Sequence, residues 1–197
     1  MSNHVALVLA AGFSKRYGSD KRFSGADQPM ILQCLDTICA HYEHVFVVHR
    51  HQDSDLIDLI QSMHKHKQIT LIPAPENNIG IGTSIATGVR KIEQSMTTIG
   101  SISIFLADMP FIEFESINAV IKRANKNCIV RPVFNHQAGH PVCFGKSFLS
   151  SLKSLSGDNG AMSIIKNNRP ALIEIEVNDE GVIADIDLSE HWPSPQE

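Results

Sequence analysis

The sequence predicts a single α/β domain built on a mostly parallel, mixed sheet with helices on both faces. Three observations carry the prediction. Short apolar runs of β type alternate with longer helix-compatible stretches, the pattern of parallel strands joined by helical crossovers. The first run, Val5–Leu9, passes directly into Ala10, Ala11 and Gly12, as a buried strand ending in a ligand loop does. The chain has 197 residues, 43% hydrophobic and 19% charged, which suits one domain with a substantial core.

The elements follow in order. Val5–Leu9 is uninterrupted apolar sequence and reads as a strand buried on both faces. A helix is expected over Met30–His41 and a strand over Val45–Val48. In Asp53–His64 the residues Leu56, Ile57, Ile60 and Met63 recur with helical period. Thr70–Ile72 reads as a strand. Thr83–Glu93 reads as a helix, with Thr83 or Ser84 as its N-cap. Ser101–Leu106 is a second buried strand, which Pro110 keeps from continuing. Phe114–Asn125 is helical, Ile129–Val133 and Val142–Phe144 are strands, and Lys146–Leu152 and Ala161–Lys166 are helices. Ile173–Val177 and Val182–Ile186, separated by Asn178-Asp179-Glu180-Gly181, read as a hairpin. One domain is expected over residues 1–192, with a frayed tail over 193–197.

The formal charge of −4, from 17 basic and 21 acidic residues, speaks against a general nucleic-acid binder. None of Cys34, Cys39, Cys128 and Cys143 forms a C-x-x-C pair, and all stand in apolar surroundings, so buried thiols are expected. No apolar stretch approaches the ~20 residues of a membrane span. Ser2-Asn3-His4 lacks the cations of a signal peptide. These observations predict a cytoplasmic protein.

The loop after the first strand holds the main chemical signal. Ala11, Gly12 and Ser14 leave backbone N–H groups open, and successive open N–H groups cradle anions. Lys15, Arg16 and Lys21 follow and complete a polyphosphate site. Two other phosphate motifs fail. Gly139 to Ser147 has five residues where the Walker A spacing needs four, and Pro141 interrupts it. Gly80-Ile81-Gly82-Thr83-Ser84-Ile85 starts like a dinucleotide fingerprint but places Ile85 at the third small position. Gly80 to Ser84 reads equally well as a helix cap or as a backbone wall against a base or ribose. Asp108 ends a buried strand at its mouth, where a carboxylate can hold Mg²⁺ beside substrate phosphates. Asp185 and Asp187 lie on one face of an extended segment. His64-Lys65-His66 reads as a solvated helix end.

Taken together these residues resemble the MobA-like nucleotidyltransferases, and most of all the molybdenum-cofactor cytidylyltransferases. The family's L-A-A-G-x-S-x-R-M-G-x-x-K is matched by Leu9 to Lys21 except at Tyr17. Its G-M-G-x-S-L-x-x-G resembles Gly80 to Gly88, and its D-x-P matches Asp108-Met109-Pro110. Its P-x-Y-x-G-x-x-G-H-P resembles Pro132 to Pro141, with His136 in place of a glycine. Its G-D-x-G-A-R resembles Gly157 to Met162, with Met162 in place of the arginine, and its D-I-D-T-P-E-D resembles Asp185 to His191. The ordered set spans nearly the whole chain. The stretch from Lys21 to Pro29 is more polar than the family's Leu-rich one.

The resemblance implies a Rossmann-like three-layer α/β/α sandwich of the nucleotide-diphospho-sugar transferase type. It implies Mg²⁺-dependent transfer of CMP from CTP to the phosphate of molybdopterin, with release of pyrophosphate and a molybdoenzyme as recipient of the product. Arg16, Lys21 and Asp108 would be catalytic. Leu9, Ala10, Ala11, Gly12, Ser14, Gly80, Gly82, Thr83 and Ser84 would bind nucleotide. His140 and Asp158 would meet the acceptor, and Asp108 and Asp187 the metal. Ala11 resembles the cytidylyl branch, since the guanylyl branch usually has a glycine there. Two alternatives stand beside this reading: transfer to a sugar or polyol phosphate, and a non-catalytic nucleotide-binding or cofactor-chaperone role.

Overall fold

The first strand, β1 (His4–Leu9), lies near the middle of the sheet, and its alternation builds the layers. Val5, Leu7 and Leu9 enter one apolar cluster, while Ala6 and Val8 enter another on the opposite face. A strand apolar from Val5 to Leu9 is thereby buried on both sides. The computed structural model describes residues 4–12, 20–25, 27–63, 66–77 and 80–186, with the backbone alone described at His66. The readings at Ser14, Arg16 and Asp187, at His64 and Lys65, and over the tail 193–197 lie outside the described residues.

The further elements are α1 (Met30–Cys39), β2 (Val45–His49), α2 (Ser54–Gln61), β3 (Ile69–Pro73), α3 (Ile81–Ser95), β4 (Ser101–Leu106) and α4 (Phe114–Arg123). They are followed by β5 (Ile129–Phe134), β6 (Gln137–Ala138), β7 (Val142–Gly145), α5 (Leu149–Lys153), α6 (Met162–Asn167) and β8 (Leu172–Glu176). Among the described residues the strands form one sheet of eight in the order β3-β2-β1-β4-β7-β5-β6, with β8 also paired to β5. β3, β2, β1 and β4 run parallel. β7 is antiparallel to both β4 and β5, and β8 is parallel to β5. This is the mostly parallel mixed sheet of a three-layer α/β/α sandwich.

Helix α3 packs with α5 and α6 over one face, and α1 and α2 cover the other. Gly88 makes the first contact close: a Cβ there would stand 2.4 Å from Leu7 Cδ1. All four cysteines are buried, as their apolar surroundings predict. Burial raises the pKa of the Cys34 thiol, and the Asp108 charge raises it further, so this residue beside the β4 mouth stays protonated.

The structure corrects three readings. The hairpin at the end of the chain does not form. Residues 172–176 pair in parallel with β5, and Glu180–Val182 is a 3₁₀ turn. The reason is the buried carboxylate of Asp179, which accepts from Gly181 N at 2.8 Å and from Glu113 N at 2.9 Å. It folds the chain back so that Ile186 N donates to Asp108 O at 2.9 Å. Second, α3 starts at Ile81 with Gly80 as N-cap, so Thr83 and Ser84 lie inside the helix. Gly80 takes φ of 91°, a conformation open to glycine, and the neighbouring loop leaves no room for a side chain. Third, the short strand β6 was not visible in the sequence. It forms a two-residue turn with β5 in which Asn135 and His136 take φ of 48° and 65°. His136 therefore holds a left-handed position that suits the glycine of the family pattern.

Candidate active site

The order of strands reverses at β1, whose neighbours β2 and β4 continue the chain in opposite directions. Ligands of open α/β sheets bind at the carboxyl ends of strands flanking such a point. Leu9, Ala10, Ala11 and Gly12 stand at the end of β1, and Asp108 follows the end of β4. Leu9, Ala10 and Ala11 are buried, while Gly12 is exposed.

Lys21 opens a 3₁₀ turn over Lys21–Phe23 and reaches across this mouth. Its ammonium donates to Asp108 Oδ2 at 2.7 Å and to Ile186 O at 3.0 Å. Asp108 Oδ1 is buried and takes no hydrogen bond among the described residues. A carboxylate with one oxygen on an ammonium and the other uncommitted has a donor to offer a hard cation, which prefers oxygen. The predicted second ligand, Asp187, falls just beyond the described Ile186. Among the described residues no group of three or more His, Cys, Asp or Glu could hold a metal. The donor set thus fits an ion bound by one or two carboxylates and the phosphates of a nucleotide.

A charged clamp that sequence reasoning missed lies behind the loop. Arg22 is 3% exposed. Its Nη1 donates to Asp53 Oδ2 at 2.6 Å and to Ala10 O at 2.9 Å. Its Nη2 donates to Asp53 Oδ1 at 2.8 Å and to Asp20 Oδ2 at 2.6 Å. Arg50 then donates from Nη1 to Asp20 Oδ2 and from Nη2 to Gly12 O, both at 2.6 Å. Two loop carbonyls are therefore tied from behind by arginines. Burial opposes charge on Arg22, but its bonds and charge interactions with Asp20 and Asp53 outweigh that and raise its pKa. Burial alone would raise the Asp20 pKa. The Arg22 bond and the charges of Arg22 and Arg50 instead pull it below 3.8. The polar stretch after Lys21 was the sequence signal for this clamp. Its partners Arg50 and Asp53 come from the end of β2 and the start of α2, which no local motif connects to it.

A cavity of about 220 Å³ lies against the β4, β7 and β5 side of the sheet. Ile81, Ile85, Ile104, Val142 and Phe144 give it apolar walls. The predicted acceptor residues His140 and Asp158 both line it, and Met162 stands at its helix side. Gly82 N donates to Gly157 O at 2.8 Å, so the start of α3 and the loop carrying Asp158 form one wall. Gly80 and Gly82 flank the lining residue Ile81, while Ala11 packs in the same buried cluster as Ile85. The His140 backbone N–H donates to Val182 O at 2.8 Å, and burial lowers its pKa, which keeps the imidazole neutral. The structure brings Lys21 and Asp108 into contact and sets His140 and Asp158 on a shared cavity.

A sequence model of the MobA-like NTP transferase domain matches residues 6–172. The Purine catabolism protein PucB of Bacillus subtilis (strain 168) is 30% identical over 194 residues, covering 95% of this chain and 93% of PucB. Among solved structures, a nucleotidyl transferase from Methanothermobacter superposes with a TM-score of 0.79 at 15% identity, covering 95% and 93% of the two chains. The 4-diphosphocytidyl-2C-methyl-D-erythritol synthase of Anaerococcus prevotii superposes with a TM-score of 0.72 at 15% identity, covering 96% and 92%. At these identities the two structures establish the fold. Among the described residues no helix is long and apolar enough to cross a membrane.

Proposed function

The chain belongs to the MobA-like NTP transferase family, a family of nucleotidyltransferases, and from that premise we propose that it transfers CMP from CTP to the phosphate of molybdopterin and releases pyrophosphate. The observation that carries the reading is the Lys21–Asp108 contact at the strand mouth, with an apolar-walled acceptor cavity on the same sheet. Nucleotidyl transfer needs positioned reactants and neutralised charge rather than a covalent nucleophile. The Ala11 and Gly12 N–H groups cradle the triphosphate, and Arg16 is assigned to the same phosphates by its place in the loop. Lys21 neutralises charge on the α-phosphoryl group and the leaving pyrophosphate. Asp108 holds Mg²⁺, with Asp187 as second carboxylate; the bound ion supplies charge neutralisation at the phosphoryl oxygens. Gly80 to Ser84 flank the nucleoside, and His140 and Asp158 meet the acceptor.

Ala11 supports CTP over GTP, since by the resemblance the guanylyl branch usually has a glycine there. The cavity walls support a flat ring system, which can stack on apolar side chains, over a polyol, whose hydroxyls would lose hydrogen bonds among isoleucines and Phe144. The likeness in fold to a diphosphocytidyl-methylerythritol synthase keeps a polyol phosphate as the second reading. A thermal-shift panel of CTP, GTP, ATP and UTP, each with and without Mg²⁺, tests the nucleotide. CTP with Mg²⁺ should give the largest shift, since selective binding stabilises the fold by mass action. A larger shift with GTP overturns the nucleotide assignment. An acceptor screen at fixed CTP, read by pyrophosphate release, separates molybdopterin from polyol phosphates and from a protein that binds without turnover.

A further inference from the structure

Arg131 lies on β5 and shares a sheet face with Ile129, which packs in the cluster of Phe144 and Ile165. Its side chain therefore projects toward α6 and lines the cavity. The residue is 9% exposed, a cation set among apolar groups. Its register partner on β8 is Glu174. Arg131 Nε donates to Glu174 Oε1 at 2.9 Å, and Nη2 donates to the same oxygen. Among the described residues no hydrogen bond reaches Nη1. Nη1 stays open to solvent where Arg131 lines the cavity, and an anion entering there can accept from it.

Met162 lines the same cavity at the position where the family pattern has an arginine. The cation of this pocket thus stands on the sheet rather than on the helix. Leu106, the last residue of β4 and two before Asp108, lines the cavity at one end, and Arg131 lines it from β5. The cavity therefore reaches from the neighbourhood of the transfer site to a second cationic point.

Resting on the reading of this cavity as the acceptor site, we propose that Arg131 determines specificity by binding an anionic group of the acceptor remote from its reacting phosphate. The acceptor is then held at two anionic ends with its body against the apolar walls between them. A polyol monophosphate lacking a second anion leaves Arg131 without its partner.

Methyl NMR of the full chain, labelled at its methionines, tests this with orthophosphate as probe and chloride at matched ionic strength as control. The Met162 methyl, assigned through Met162→Leu, reports on the cavity whichever nucleotide the phosphate loop takes. Orthophosphate should shift it saturably in the parent protein. Arg131→Met should weaken that binding about tenfold or more, the value of a charge-assisted bond. Glu174→Gln, which removes the competing carboxylate, should tighten it severalfold. If the pair only ties β5 to β8, both variants lower the melting temperature alike and neither alters the orthophosphate response, which overturns the proposal. A parent protein without a saturable shift overturns it too. Should Arg131→Met fail to fold, Glu174→Gln decides: tighter binding upholds the proposal, and unchanged or weaker binding ends it. Failure of the nucleotide panel would remove the proposed reaction but leave this binding result standing.

Discussion

The loop side of the molecule and the cavity side are built from opposite materials. At the end of β1, charge meets charge: Lys21 on Asp108, Arg22 on Asp20 and Asp53, Arg50 on Asp20. Across the sheet, isoleucines and Phe144 surround a space lined by Arg131, whose partner Glu174 stands outside it and exposed. The difference matches two tasks. Triphosphates of every nucleotide carry the same anionic tail, which fixed cations and N–H groups recognise. Acceptors differ in shape and polarity, which a shaped cavity distinguishes better than charge does. The loop side should therefore set rate and the cavity side acceptor choice.

The strongest way to break this comparison is Lys21→Ala. Losing such an electrostatic donor costs on the order of 3 kcal/mol in the transition state. Turnover, read by pyrophosphate release, should fall roughly a hundredfold or more, and near-normal transfer would sink the assignment of Lys21. Asp53→Asn attacks the clamp instead of the chemistry. Its carboxylate is 6% exposed and faces Arg22 at 4%, so the variant leaves a buried cation with one partner fewer. Breaking a buried ion pair costs about 3 kcal/mol or more, and urea unfolding should show it. If stability holds, the clamp is not what secures the loop.

Acidity gives a smaller effect with a defined sign. Burial lowers the pKa values of His4, His49 and His140 below the ordinary 6.5. The unfolded chain then binds protons that the folded chain refuses, so stability declines as pH falls below 6.5. Asp20 adds a second loss: its folded pKa lies below 3.8, so its contribution is present above that value and lost as pH falls through the folded one. Stability that stays flat from pH 7 to 5 would contradict the histidine assignment. The mildest change is Met162→Ala, at a side of the cavity where the residue is 49% exposed. It should raise the acceptor KM a fewfold with kcat nearly unchanged. A drop in kcat alone would blur the division between the two regions.

Much of the loop side was legible in the sequence. Leu9 to Lys21 is contiguous, and Asp108-Met109-Pro110 ends a strand whose apolar run is unmistakable. Their meeting followed from strand order, because residues after parallel neighbours come out on one edge of the sheet. The clamp was not legible, since Asp53 looks like an ordinary helix start and Arg50 like a surface cation. Asp53 makes no side-chain cap, and its carboxylate instead turns to Arg22, 31 residues earlier. The false hairpin at the end of the chain has the same origin: Asp179 reads as a turn residue, and its backbone partner Glu113 is 66 positions away.

The sequence by itself determined the alternation of strands and helices, the family, and the motif that follows the first strand, because each is written in local periodicity or contiguous residues. Tertiary structure alone decided which charges neutralise one another, where β8 joins the sheet, and that Arg131, His140 and Asp158 share one cavity. Hydrogen bonds and ion pairs act over about 3 Å in space, whatever the distance along the chain, and only the folded sheet brings their partners that close.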